Sequence, residues 1–366
     1  MEEKFMGEKK EVEKGNEEME KDDKDCEKPN SELRYDPSSD DWVVIASGRA
    51  KRPELFKKEE KKIERGDVGS SCPFCVFENV KNAVTSFENG REVGAITKNW
   101  TAVSIPNKFP AFTPADNLNE KLDNELYMSM DAVGYHEVVI TRDHYKSIGQ
   151  MSSSQASEVF KLYRKRYLAL KDKKNVNYIS IFHNHGSESG ASVVHPHSQI
   201  ITTPIVDMDL KRNLFNTKHY YENKQSCMYC DMSKEEVKDG RRIVYENDSF
   251  LVICPFASKA AFQIVVSPKK HLSYFEDITD ADTELLGDAF GKALSMLYDK
   301  LNNPSYNFYL HTAPCDGENY DYYHWHWTIV PKTSIWGGFE LGARMEVSTI
   351  EPEKAAEYLR ETENEE

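Results

Sequence analysis

Residues 184–199 read Asn184-His185-Gly186-Ser187-Glu188-Ser189-Gly190-Ala191-Ser192-Val193-Val194-His195-Pro196-His197-Ser198-Gln199. Physically this is a strand end, a glycine-containing loop and a returning strand with alternating polar side chains. Glycines let backbone N–H groups approach phosphate oxygens closely. Asn184, Ser192 and Gln199 can add neutral donors. Residues 195, 197 and 199 share one face of an extended strand, so one histidine can bind a metal while its neighbour stays free. A free neutral imidazole is a competent nucleophile toward phosphorus. Gln199 can hold a phosphate oxygen as charge develops. It protonates a leaving group less well than a histidine would, which favours transfer between phosphate esters over hydrolysis.

The polar residues repeat along the chain. The first half carries Cys72-x-x-Cys75, His144 and His195-x-His197. The second carries Cys227-x-x-Cys230, His271 and His324-x-His326. The middle histidine and the closing pair are similarly spaced, 144 to 195 and 271 to 324. A helix is expected inside each interval and a His-bearing strand (His183, His311) before each pair. This agreement predicts a duplicated module of class α+β, each copy an antiparallel sheet with flanking helices. Ser152 to Lys173 reads as a helix, with a Ser152/Gln155 capping box. Thr279 to Leu301 reads as another, and a last begins near Glu351-Pro352. Trp42–Ile45, Val138–Ile140, Tyr178–Phe182, Ile200–Ile201, Phe250–Ile253, Phe262–Val266, Asn307–Leu310 and Thr328–Val330 read as strands. The domain division is a tail over 1–33, a first module over 34–210 and a second over 211–366.

A Cys-x-x-Cys pair on a tight turn aims two thiolates at one point, and two histidines complete a tetrahedron. Cys72, Cys75, His144 and His195 are expected to form one zinc site. Cys227, Cys230, His271 and His324 are expected to form a second, which could instead be metal-free or use His326 in place of His324. Four protein ligands leave no open position for a metal-bound water. Cys26, Cys254 and Cys315 have no partner spacing.

The 366 residues are 39% hydrophobic, enough for a core, with a net charge of −15. In the first 33 residues acidic side chains outnumber basic ones 13 to 7, and large apolar residues are few. This segment is expected to be a disordered acidic tail. The acidic balance argues against nucleic-acid binding. No apolar run is long enough for a membrane span, and the N-terminus lacks the apolar region of a secretory signal. A cytoplasmic location is therefore expected, where disulfides are unlikely.

With these residues on the page, the chain resembles the galactose-1-phosphate uridylyltransferase family, a branch of the histidine triad superfamily. The His-Pro-His-x-Gln run (His195 to Gln199) carries the resemblance, as does the Asn-x-Gly-x₃-Gly-x-Ser pattern at Asn184, Gly186, Gly190 and Ser192. So do Leu33 to Pro53, Cys72-Pro-Phe-Cys75 and Gly338 to Glu340. It spans roughly residues 32 to 360. It implies ping-pong transfer from a nucleotide sugar such as UDP-glucose through a nucleotidyl-His197 intermediate to a hexose 1-phosphate. It also implies that Arg49 and Arg52 contact phosphates and that Asn184, Ser192 and Gln199 line the phosphate site. Asn107 would lie near the nucleotide. Glu340 would meet sugar hydroxyls, often across a homodimer interface.

Two departures are visible. The Cys227/Cys230 pair looks more like a plant relative that acts as an ADP-glucose phosphorylase than like bacterial members with a glutamate there. His326 adds a second His-x-His pair, but the loop before it (Pro314 to Glu318) carries acids and lacks the Gly-x-Ser pattern. Three functions fit these residues: a hexose-1-phosphate uridylyltransferase, an adenylyltransferase of ADP-glucose phosphorylase type, and a zinc- or nucleotide-binding protein without turnover.

Overall fold

A computed structural model describes residues 31–46, 56 and 72–361. Residues 1–30 of the expected acidic tail, Arg49 and Arg52 lie outside the described residues, while Glu32 and Leu33, assigned to the tail above, open the first strand. In chain order the strands are β1 (Glu32–Asp36), β2 (Asp41–Ile45), β3 (Thr85–Glu88), β4 (Arg91–Val93), β5 (Ala102–Pro106), β6 (Lys121–Asp123), β7 (Tyr127–Ser129), β8 (His136–Thr141), β9 (Tyr178–His185), β10 (His197–Thr203), β11 (Ile243–Glu246), β12 (Phe250–Ile253), β13 (Ile264–Pro268), β14 (Tyr306–His311), β15 (His326–Pro331) and β16 (Val347–Ser348). The helices are α1 (Phe77–Val80), α2 (Ser153–Leu170), α3 (Met208–Lys224), α4 (Met228–Asp239), α5 (Asp280–Leu301), α6 (Gly338–Ala343) and α7 (Pro352–Arg360).

The class is α+β, as the alternation and capping signals predict. Eleven strands form one antiparallel sheet in the order β11-β12-β13-β15-β14-β9-β10-β8-β5-β3-β4. Its two halves repeat each other about the β14/β9 pair, where Asn307 faces Asn184 and Phe308 faces His183. Each half contributes one long helix, α2 or α5, to the same face. Ser152 accepts from Gln155 N–H at the start of α2, and Thr279 accepts from Asp282 N–H at the start of α5. These side chains satisfy donors that the first helical turn leaves open.

The two helices cross closely at Gly287, where an added Cβ would lie 2.5 Å from the Ser157 backbone nitrogen. Phe160 of α2 and Phe290 of α5 pack edge-on, with centroids 5.0 Å apart, and both rest on Trp327. Alternation then sorts every strand. Ser198, His183, Phe308 and Trp327 face the helices, while His197, Gln199, Asn184, Asn307 and His326 face the other way. The layer of α2 and α5 is therefore core, and over the second half the opposite face is covered by the β1–β2 turn, α3 and α4.

Three local expectations are corrected. β13 begins at Ile264 rather than Phe262, because Phe262 has a left-handed backbone (φ +63°). β10 begins at His197, so His195 belongs to the approach rather than to the ladder. Cys227 is not on a tight turn but is the N-cap residue of α4, with Cys230 in its first turn. No helix among the described residues is long and apolar enough to cross a membrane.

Candidate active site and metal centres

At the first cluster, the Cys72-to-Cys75 segment is a tight turn closed by Cys75 N–H to the Cys72 carbonyl. Cys75 Sγ lies 3.1 Å from His144 Nδ1 and 3.5 Å from His195 Nδ1, and Cys72 Sγ lies 3.6 Å from His195 Nδ1. Sulfur and nitrogen on a tetrahedral ion of this kind stand about 3.5 Å apart. At the second cluster, Cys230 Sγ lies 3.4 Å from His271 Nδ1 and 3.3 Å from His324 Nδ1. Within each foursome all ligand atoms fall within 4.8 Å of one another. Both groups could hold a metal ion, and the second uses His324 rather than His326.

The outer nitrogens are fixed as metal-ligating imidazoles require. His195 Nε2 donates to the Thr141 carbonyl at 2.7 Å, His324 Nε2 to the Pro268 carbonyl at 2.9 Å and His271 Nε2 to the Asp321 carbonyl at 2.7 Å. Each bond holds the proton on Nε2 and turns the Nδ1 lone pair toward the thiols. His197 stands outside both foursomes.

His197 heads β10, and its Nδ1–H donates to the His195 carbonyl at 2.9 Å. That leaves Nε2 as the unprotonated nitrogen of the ring. Burial pushes the His197 pKa below its usual 6.5, against the His195 hydrogen bond that raises it. Burial therefore favours the neutral ring. Phe74, from the first Cys-x-x-Cys turn, lies 5.2 Å from it between centroids and holds its flank. Behind the strand, Ser198 bonds Tyr163 and the buried His183, which locks the register from the helical side.

Gln199 sits two residues on, on the same face. Its Oε1 lies 2.7 Å from His136 Nε2. His136 Nδ1 accepts from Ala111 N–H at 3.0 Å, so Nε2 carries the proton and donates to Gln199. The amide is thereby turned with its NH₂ free to act as a donor. Asn107 Nδ2 lies 3.0 Å from the same His136 nitrogen, and its Oδ1 accepts from Phe109 N–H. Thus Gln199 and Asn107 meet at His136, and His197 lies two residues from Gln199 on the same face of β10.

Asn184, next to last in β9, accepts from Asn307 Nδ2 at 2.7 Å, which also donates to the Ser189 carbonyl. The loop then turns through Gly186 (φ +79°), a single 3₁₀ turn Ser187–Ser189 and Gly190 (φ +90°). Gly186 cannot be replaced freely, because a Cβ there would stand 2.3 Å from Ser305 Oγ. Ser192 lies exposed on this loop. Glu340 is not joined to the group. Its Oε2 accepts from Gly337 N–H at the start of α6, and among the described residues no hydrogen bond links it to His197.

Two residues that sequence reasoning missed belong here. His136 orients Gln199, yet a lone histidine at the head of an apolar strand carries no local signal. Asn307 orients Asn184 from the other half, through a register that no local pattern encodes.

Residues 17–207 match the galactose-1-phosphate uridyl transferase N-terminal domain and residues 213–365 match the C-terminal domain of the same family. The chain is 31% identical to ADP-glucose phosphorylase of Arabidopsis thaliana over 92% of this chain and 94% of the relative. It is 28% identical to galactose-1-phosphate uridylyltransferase of Thermotoga maritima over 91% of this chain and 98% of that one. A crystal structure of the Arabidopsis thaliana ADP-glucose phosphorylase with bound ADP-glucose superposes with a TM-score of 0.75 at 29% identity, covering 91% of this chain and 99% of the other.

Proposed function

From the chain's membership of the galactose-1-phosphate uridylyltransferase family, we infer that it is a nucleotidyltransferase of the uridylyltransferase type, working through a nucleotidyl-His197 intermediate. The observation that carries this reading is the tether between His197 Nδ1–H and the His195 carbonyl. It leaves a neutral imidazole with only its Nε2 lone pair available.

The steps balance. Nε2 attacks the α-phosphorus of a nucleotide sugar such as UDP-glucose, and the bond to the departing hexose 1-phosphate breaks. The ring now carries both the new N–P bond and its Nδ1 proton. Its positive charge faces the His195 carbonyl. A phosphate oxygen of a second hexose 1-phosphate then attacks the same phosphorus, and the electron pair returns to Nε2. The leaving groups are phosphates, which depart without a proton, so a glutamine suffices where hydrolysis would call for an acid. Gln199 NH₂, Asn184 Nδ2 and Ser192 Oγ are the proposed donors to the phosphoryl oxygens as charge spreads over them. Arg49 and Arg52 would supply bidentate phosphate contacts, and Asn107 would border the nucleotide.

We take the ion in each cluster to be zinc, which suits two thiolates and two imidazoles. Four protein ligands close each site, so its role is to fix the approach to β10 and the start of α4. The division of labour places catalysis in residues 34–210 and support in residues 211–366. A homodimer is supported by the exposed apolar side chains around Glu340: Ile335 (99%), Trp336 (47%), Phe339 (54%) and Leu341 (67%). In it Glu340 would reach a partner's sugar hydroxyls.

A second reading, adenylyl transfer of ADP-glucose phosphorylase type, is favoured by the 31% identity to such an enzyme and by the two-cysteine second cluster. Both readings share every residue above and differ at the base pocket. Incubation with UDP-glucose or ADP-glucose labelled at the α-phosphorus separates them. The uridylyltransferase reading expects protein labelling from UDP-glucose, acid-labile and absent in His197→Asn, with two zinc ions per chain retained. Labelling from ADP-glucose alone supports the second reading. No labelling from either, or zinc lost with His197, would sink both.

A further inference from the structure

The pseudo-twofold axis that repeats the sheet also repeats the nucleophile's surroundings. His326 Nδ1 donates to the His324 carbonyl at 3.2 Å, as His197 does to His195. Tyr229, from the second cysteine pair, lies 5.1 Å from His326 between centroids, where Phe74 lies 5.2 Å from His197. Thr328 takes the place of Gln199, and His311, stacked on His326 at 4.6 Å, takes that of Asn184.

Over this face lies a cavity of about 180 Å³, room for roughly six waters at ~30 Å³ each. The β1–β2 turn at Asp36 and Ser38, α3 at Asn213 and α4 at Tyr229 and Ser233 enclose it.

The wall decides what it can hold. Asn213 Oδ1 is buried without a hydrogen-bond partner, and His326 Nε2 is the nitrogen left over from the backbone tether. Acceptors of this kind need donors, because an unmade buried hydrogen bond is costly. An anion is disfavoured, since Asp36 lines the wall, the Lys259 ammonium is held by Asp41 at 2.5 Å, and the Glu236 carboxylate is paired with Arg242 at 2.8 Å, so no unpaired cation faces the cavity among its lining residues. A metal ion is disfavoured too: among the described residues only the two Cys/His foursomes bring three or more ligand atoms together. An apolar ligand would leave the acceptors unmet. Thr328 and Lys259 add donors, and the Tyr229 and Tyr309 rings offer flat apolar walls. Acceptors, donors and aromatic faces together match a molecule that is rich in hydroxyls and carries no charge.

We propose that this cavity is a second, non-catalytic binding site that takes one small uncharged polyhydroxyl molecule of monosaccharide size. The proposal does not depend on the chemistry of His197.

The test uses the full-length, zinc-replete protein and ligand-detected NMR with free D-glucose, free D-galactose and inorganic phosphate as probes. Thr328→Phe fills the cavity from the sheet, and Ser233→Trp fills it from α4. Saturable binding of a free hexose, weakened about tenfold or more in both variants while nucleotidyl labelling of His197 persists, is the expected result. If Thr328→Phe does not fold, Ser233→Trp decides alone. The proposal is overturned if neither hexose binds saturably, if hexose binding is the same in the filled variants, or if phosphate is the probe whose binding they lose.

Discussion

Replacing Gly186 with alanine tests whether the donor loop is held as the structure shows. Gly186 has φ +79° and ψ 156°, a region essentially reserved for glycine, where another residue costs ~1–3 kcal/mol. Its new Cβ would also meet Ser305 Oγ at 2.3 Å and Ser305 Cβ at 2.9 Å, and such overpacking costs ~1–3 kcal/mol. Together Gly186→Ala should destabilise the zinc-loaded protein by roughly 2–6 kcal/mol. The clash half can be removed separately. Ser305→Gly deletes both offending atoms, so Gly186→Ala should cost only the backbone share, about 1–3 kcal/mol, in that background. Urea unfolding of the four proteins gives the coupling directly. Relaxation of the crowded alanine loop moves Ser187–Ser189 and the Asn307–Ser189 bond, so His197 labelling should slow in Gly186→Ala and recover partly in the double variant. A near-neutral alanine, or two substitutions whose costs add within ~0.5 kcal/mol, would refute the loop geometry.

Two further outcomes are expected. Cys227→Ser with Cys230→Ser should drop the zinc content from two ions to one per chain by metal analysis and lower Tm by several degrees, while His197 labelling continues. A folded variant that retains both ions, or that loses labelling entirely, contradicts a structural role for that cluster. Burial pushes the Glu353 carboxyl upward, but Arg242 at 2.7 Å and Arg34 at 3.0 Å outweigh it and hold the pKa below the usual 4.5. Its contribution to stability is therefore complete above pH 4.5 and lost as pH falls through the depressed value. Thermal melts from pH 6 to 3 should show wild type losing its advantage over Glu353→Gln across that limb, and a gap that stays constant would contradict the sign.

What the sequence revealed was whatever lies within one element or one loop. Ser152/Gln155 and Thr279 announce their helices because the capping chemistry is local. His-x-His-x-Gln announces β10 because alternation places His197 and Gln199 on one face. The two helices after residue 207 were missed for a physical reason. In α3, Leu210, Leu214 and Thr217 are buried at helical spacing, but Phe215 and Tyr221 point to solvent and blur the stripe. The second cysteine pair reads like the first, although one closes a turn and the other opens a helix, since four residues of spacing suit both. His136 and Asn307 act only through partners on other strands, and their roles follow from register. The different orientations of His195 and His197 follow from two carbonyls, those of Thr141 and His195, that no motif mentions.

The join between β9 and β14 has a consequence for how this molecule can be divided. Cut near residue 210 and expressed as two polypeptides, each fragment would carry an unprotected ladder of N–H and C=O groups down the middle of what had been a continuous surface. Neither would be a small enzyme in its own right. The first would also lose the amide that steadies Asn184. Mixed together, the fragments would have every reason to zip back along that ladder, and recovered catalysis would report the rejoining.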